Sequence, residues 1–143
     1  GTAINIIGSL VRMLSKWSGV CQENKAQDEG CAKPLYDRVA MADLSVDDLF
    51  NDAFSAIARD GAGSVEVGIR LQKSLIALAS LGDDDMTRVA GRLSHYALRY
   101  AEKSLILDEE IEAVRIYADQ MAEMLQKCTS QQDTAQKHTL DSK

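Results

Sequence analysis

The sequence predicts an all-α domain of about five helices in mostly antiparallel, bundle-like packing. Three observations lead there. Apolar residues recur at three- and four-residue steps in five separate stretches, the signature of helices with one buried face. Several of the breaks between them are short, which favours antiparallel neighbours. Only Leu35 to Met41 lacks a helical period, and it reads as one short extended segment with no partner strand. A chain of 143 residues makes one domain and buries a core without staples.

The first helix places Ala3, Ile7, Leu10, Leu14, Trp17 and Cys21 on one face, with Ile4 and Val11 beside them. Gln22 to Pro34 is polar, holds Gly30 and the single proline, and reads as a loop. Ser45 opens the second helix, with Asp47 and Asp48 in a first turn where carboxylates favour the helix dipole. Val46, Leu49, Phe50, Ala53, Phe54 and Ile57 form its buried side. The third helix spans Ser64 to Leu81, its polar residues Glu66, Arg70, Lys73, Ser74 and Ser80 gathered on one face. The rest is apolar except Gln72, so this is a central helix in which Gln72 requires amide partners inside the core.

Gly82 stops that helix and Asp83, Asp84 and Asp85 start the next. The fourth helix buries Met86, Val89, Ala90, Leu93, Ala97 and Tyr100. Asp108 caps the fifth, followed by Glu109 and Glu110, with Ile111, Val114, Ala118, Met121 and Leu125 facing inward. Residues 1–128 thus form the helical domain, and the polar run 129–143 reads as a disordered tail.

Composition removes several function classes. Charged residues at 27% and hydrophobic residues at 45% are globular values, which argues against disorder throughout the chain. A net charge of -6 repels nucleic acid in the absence of a dominant basic face. No stretch offers the roughly 20 apolar residues that a membrane span needs, because Asn5, Gly8 and Arg12 interrupt one candidate and Gln72, Lys73 and Ser74 another. No signal-peptide pattern stands at the start, and Gly1, Thr2 and Ala3 without an initiator methionine suggest a fragment of a longer chain. Cys21, Cys31 and Cys128 form no paired spacing, which suits buried thiols in a reducing compartment.

The search for chemistry yields no catalytic residue, metal site or cofactor. Neither Glu-x-x-His nor His-x-x-x-His occurs. His138 lies in the tail, and His95 lies among arginines that disfavour a bound cation. No serine sits in Gly-x-Ser-x-Gly. Asp83 to Asp85 lack the alternating spacing and closing glutamate of a calcium loop, and a helix start explains them.

Two surfaces remain. The turn Arg59-Asp60-Gly61-Ala62-Gly63-Ser64 precedes a helix whose free amides, with Arg59 behind and Arg70 two turns ahead, form a candidate anion or ligand site. No Walker or dinucleotide pattern surrounds the glycines, and a hinge between two helices accounts for them, glycine supplying backbone angles that other residues resist. Glu66 and Arg70 are spaced to pair, which would occupy Arg70. On the fourth helix, Arg88, Arg92, His95, Arg99 and Lys103 recur at steps of four, three, four and four and form one basic ridge on an acidic protein. The ridge reads either as a solvated face neutralised by Glu102 and by carboxylates of neighbouring helices, or as a surface for anionic headgroups or an acidic partner.

The run "DLFNDAFSAIARDGAGSVEVGIRLQKSLIALASLGD", together with the opening "GTAINIIGSLVRML", resembles the soluble C-terminal region of a family of bacterial predicted membrane proteins, domain of unknown function 2254. The likeness extends over most of residues 1–125 and is most specific at Arg59 to Gly63 followed by Glu66, Arg70 and Leu71. It implies transmembrane helices before Gly1, a place in the bacterial inner membrane, and a cytoplasmic position for this domain. The expected function is a non-catalytic module acting in assembly, regulation or partner binding. Its expected partners are its own upstream membrane segment, an anionic lipid surface or a second copy of the chain. The alternative is an anion or small-molecule sensor, less readily an enzyme, whose site at Arg59 to Arg70 is completed by upstream residues.

Overall fold

The computed structural model describes residues 1–27, 45–81 and 84–140. Five helices follow in order: α1 Thr2–Gln27, α2 Val46–Asp60, α3 Val65–Ala79, α4 Asp84–Ser104 and α5 Asp108–Leu140. No strand occurs among the described residues, and the all-α, single-domain expectation holds. The extended segment expected at Leu35 to Met41, and the stop and start at Gly82 and Asp83, lie outside the described residues.

Local sequence sets the helix starts. The Ser45 hydroxyl accepts a hydrogen bond from the Asp48 amide at 3.4 Å, and that of Ser64 from the Val67 amide at 3.5 Å, so each N-cap satisfies an otherwise orphaned donor. Asp84 and Asp85 lie in the first turn of α4. Asp108 is the first helical residue of α5 rather than its cap, and the Leu107 carbonyl accepts from the amides of Glu110 and Ile111.

Three helix ends differ from the sequence reading. α1 continues to Gln27 instead of stopping before Gln22, because Cys21 to Gln27 contain no residue that breaks a helix and the first glycine comes at Gly30. α5 runs on to Leu140, where the reading ended it at Cys128 and expected a disordered tail. Residues 129–140 are polar but include neither glycine nor proline. α3 ends at Ala79, and the Ser80 amide and hydroxyl both donate to the Ile76 carbonyl, at 3.0 and 2.8 Å.

α3 and α4 form the centre. The Gln72–Ser94 and Ala79–Thr87 contacts show that they run antiparallel, and the Arg115–Glu102 pair with the approach of Leu125 to Gly91 shows the same for α4 and α5. α2 lies along α4, in the same direction, and α1 packs chiefly on α3. The helix α3 is therefore touched by α1, α4 and α5, which accounts for its wide apolar arc. α5 comes close to both central helices at glycines: a Cβ on Gly68 would stand 3.0 Å from Val114 Cγ2, and one on Gly91 would stand 2.4 Å from Leu125 Cδ1.

The main core joins Ile7 and Leu14 of α1, Phe50 and Phe54 of α2, and Leu71, Leu75 and Leu78 of α3 to Met86, Val89 and Leu93 of α4 and Met121 of α5. Phe50 and Phe54 meet edge to face, ring centres 5.7 Å apart. A second cluster of Ala101, Leu105 and Val114 closes the end where α4 turns into α5. Gln72 is fully buried and finds the partners its position requires: its Nε2 donates to the Ser94 carbonyl at 2.9 Å, and Ser94 Oγ donates to its Oε1 at 2.6 Å. Two residues depart from expectation. Ser74 is buried rather than on the polar face, and Tyr100 is exposed while Ala101 takes the inward position. One further residue along α4 rotates a side chain by about 100°, and Ala101 fits the tight α4–α5 approach that a tyrosine ring would not.

Candidate functional site

The turn between α2 and α3 is built by contact. Gly61 has φ -88° and ψ -1°, an ordinary helical backbone, and its amide donates to the Ile57 carbonyl at 2.9 Å. A Cβ there would stand 2.6 Å from that carbonyl oxygen and 2.7 Å from Val67 Cγ1. Glycine is required because α3 crosses close overhead. Ala62 is buried, and the Ser64 amide donates back to the Gly61 carbonyl at 3.1 Å. Gly63 differs from expectation. It has open space around it and no left-handed backbone, so it is not held to glycine by either route.

The charged residues of the turn do not converge on one point. Arg59 Nε and Nη2 donate to the two carboxylate oxygens of Asp60 at 2.7 and 3.2 Å. That hydrogen bond lowers the Asp60 carboxyl from its ordinary pKa and raises the Arg59 guanidinium. The Ser64 hydroxyl already engages one amide at the start of α3. Glu66 and Arg70 form no ion pair among the described residues. Arg70 extends towards α1 instead, its Nη2 lying 3.7 Å from where a Cβ on Gly8 would stand. Beside the turn, Thr2, Ala3 and Ile6 of α1 face Ala56, Ile57, Asp60 and Gly61 across a mainly apolar groove of about 390 Å³. No local pattern of residues signals this groove, which arises from two helix ends remote along the chain.

All five residues of the ridge, Arg88, Arg92, His95, Arg99 and Lys103, are exposed on α4. Three of its cations have carboxylate partners. Arg88 Nη2 lies 3.3 Å from both Asp47 and Asp85, Arg92 also pairs with Asp47, and Arg99 Nε lies 3.8 Å from Glu102. Asp47 is the residue that sequence reasoning undervalued. Besides favouring the α2 dipole, it joins α2 to α4 through two arginines. Glu102 is shared with Arg115 of α5 at 3.0 Å, which raises the Arg115 guanidinium pKa together with Glu112. His95 borders a cavity of about 270 Å³ between α4 and α5, opposite Asp119.

An open groove of about 820 Å³ beside the α4–α5 turn is lined by Glu102, Asp108, Glu109 and Glu112 with Arg115 and Ile116. Among the described residues no group of three His, Cys, Asp or Glu side chains is arranged to hold a metal ion. Cys128 is a half-buried free thiol. None of the described helices is long and apolar enough to cross a membrane.

No curated protein and no solved structure matches the chain. A family model does, over residues 1–77, a stretch that holds α1, α2, the glycine turn and most of α3 and leaves the α4 ridge outside it. The match covers more than half of the 143 residues, and the chain belongs to the predicted membrane protein family DUF2254.

Proposed function

We propose that this domain is a non-catalytic, extramembrane module of a bacterial inner-membrane protein, positioned on the cytoplasmic side and acting in assembly, regulation or partner binding. One observation carries the reading: the chain belongs to a family of predicted membrane proteins, while none of the described helices is long and apolar enough to span a bilayer. The membrane-embedded part then lies elsewhere in the protein, and the module's work is done by its surfaces. The formal charge of -6 directs those surfaces away from nucleic acid.

The sensor alternative at Arg59 to Arg70 has less support. Arg59 is engaged by Asp60, Ser64 caps one of the amides, and Arg70 points to α1, so no two cations converge on one point. The ridge is read as a solvated face, because Asp47, Asp85 and Glu102 balance its arginines at short range. Labelling tests the module reading. With Lys103→Cys in the intact protein in cells, its other cysteines replaced by serine, a membrane-impermeant maleimide is expected to react only after the inner membrane is opened. Reaction in unopened spheroplasts would reverse the sidedness, and protection in both states, with labelling restored by detergent, would put this surface inside the membrane.

A further inference from the structure

α1 carries two apolar lines, and the bundle uses only one. Ile7 and Leu14 are buried against the core. Ile6, Met13 and Val20, at steps of seven residues, are 46, 65 and 54% exposed, with Trp17 half-buried between the two lines. At about 1.5 Å rise per residue this second stripe is about 21 Å long. At about 100° per residue, Arg12 and Lys16 fall together on the side of the stripe away from the core, both exposed.

The charge of this helix is opposite to that of the protein. Residues 1–22 contain Arg12 and Lys16 and no carboxylate, in a chain of net charge -6; the first acidic residue, Glu23, comes seven positions after Lys16. Unlike the α4 arginines, neither cation has a carboxylate partner among the described residues, and Arg12 Nη2 donates only to the Ser9 hydroxyl, at 3.0 Å. Asp60, the carboxylate beside Ile6, is bound to Arg59.

From this we infer that α1 lies flat on an anionic phospholipid bilayer, with Ile6, Met13 and Val20 entering the headgroup and acyl boundary, Trp17 at its edge, and Arg12 and Lys16 reaching the headgroup phosphates. Burial of an apolar stripe flanked by cations is how an amphipathic helix binds an interface without spanning it. Charge decides against a second copy as the occupant. Two α1 helices joined along this stripe would bring four cations to one seam against the two Glu23 carboxylates that fall on the same side, an excess of positive charge. The inference rests on the extramembrane-module reading and assigns it a membrane-facing surface.

Trp17 is the single tryptophan and reports directly on the stripe. The 143-residue chain is mixed at low salt with vesicles of phosphatidylcholine alone or containing phosphatidylglycerol, and binding is followed by flotation and by Trp17 emission. Expected are binding to the phosphatidylglycerol vesicles only, a blue shift, and quenching by brominated acyl chains. Met13→Gln with Val20→Gln is expected to weaken binding at least tenfold with an unchanged circular-dichroism spectrum, and Arg12→Gln with Lys16→Gln to reduce it to the level seen with phosphatidylcholine alone. Arg88→Gln, Arg92→Gln and Arg99→Gln together are expected to leave it intact. The inference is overturned by absent binding, by binding that survives the Met13/Val20 change, or by a lipid-free dimer which that change dissolves. The maleimide experiment contains no vesicles, so the module reading stands or falls separately.

Discussion

Single residues separate the features that need their chemistry from those that do not. Gly61→Ala forces a Cβ into the Ile57 carbonyl and Val67, and should cost about 1–3 kcal/mol, as overpacking does. Gly63→Ala meets open space and should stay within about 0.5 kcal/mol of wild type. Urea unfolding midpoints of the two variants check this contrast, and equal losses would refute it. Ser18 is buried on α1 with a hydroxyl that has no hydrogen-bond partner among the described residues. Replacing it with alanine relieves an unsatisfied group and should leave stability unchanged or raise it by about 1 kcal/mol. A clear loss in the same urea series would show that the hydroxyl is satisfied after all. These distinctions were hidden in the sequence, where Gly61 and Gly63 look alike; the neighbours that distinguish them are set by how α3 packs over the turn.

At the scale of elements, helix faces were legible and pairings between helices were not. Phe50, Phe54, Leu93 and Met121 fall on the faces their spacing assigns, because a period of about 3.6 residues is a local property. The need of Gln72 for a partner was equally legible, since a lone amide in an apolar arc must be satisfied. That the partner is Ser94 was not, since 22 residues separate the two. The same limit applies to Arg70, whose spacing suits a pair with Glu66 one turn away and which instead lies towards α1. The Gln72–Ser94 pair should show up in a double-mutant cycle. Gln72→Leu and Ser94→Ala each leave a buried polar group unpaired, at about 1–3 kcal/mol, and the double variant should cost less than their sum. Additive losses would mean that the two side chains do not cooperate in holding α3 to α4.

For the whole molecule, the expected circular-dichroism spectrum is that of a helical protein and is unchanged by a chelator; a strand-dominated spectrum or chelator-induced unfolding would contradict it. α1 packs chiefly on α3, with little on α2, whereas α3 is enclosed by three helices. Native-state hydrogen exchange should therefore find the amides around Ile7 and Leu14 opening at lower free energy than those around Leu71 and Leu75. Equal protection in both would make α1 an inseparable part of the cooperative unit. The same arrangement decides how the molecule bears load. Tension applied to the start of α1 is carried to the bundle mainly by one row of side chains along α3, and a row pulled from its end parts one turn after another, as a zipper does. α4 and α5, braced against each other and against α3, would meet the same pull along their whole length and resist it in shear, which makes α1 the element that yields first and leaves the other four standing.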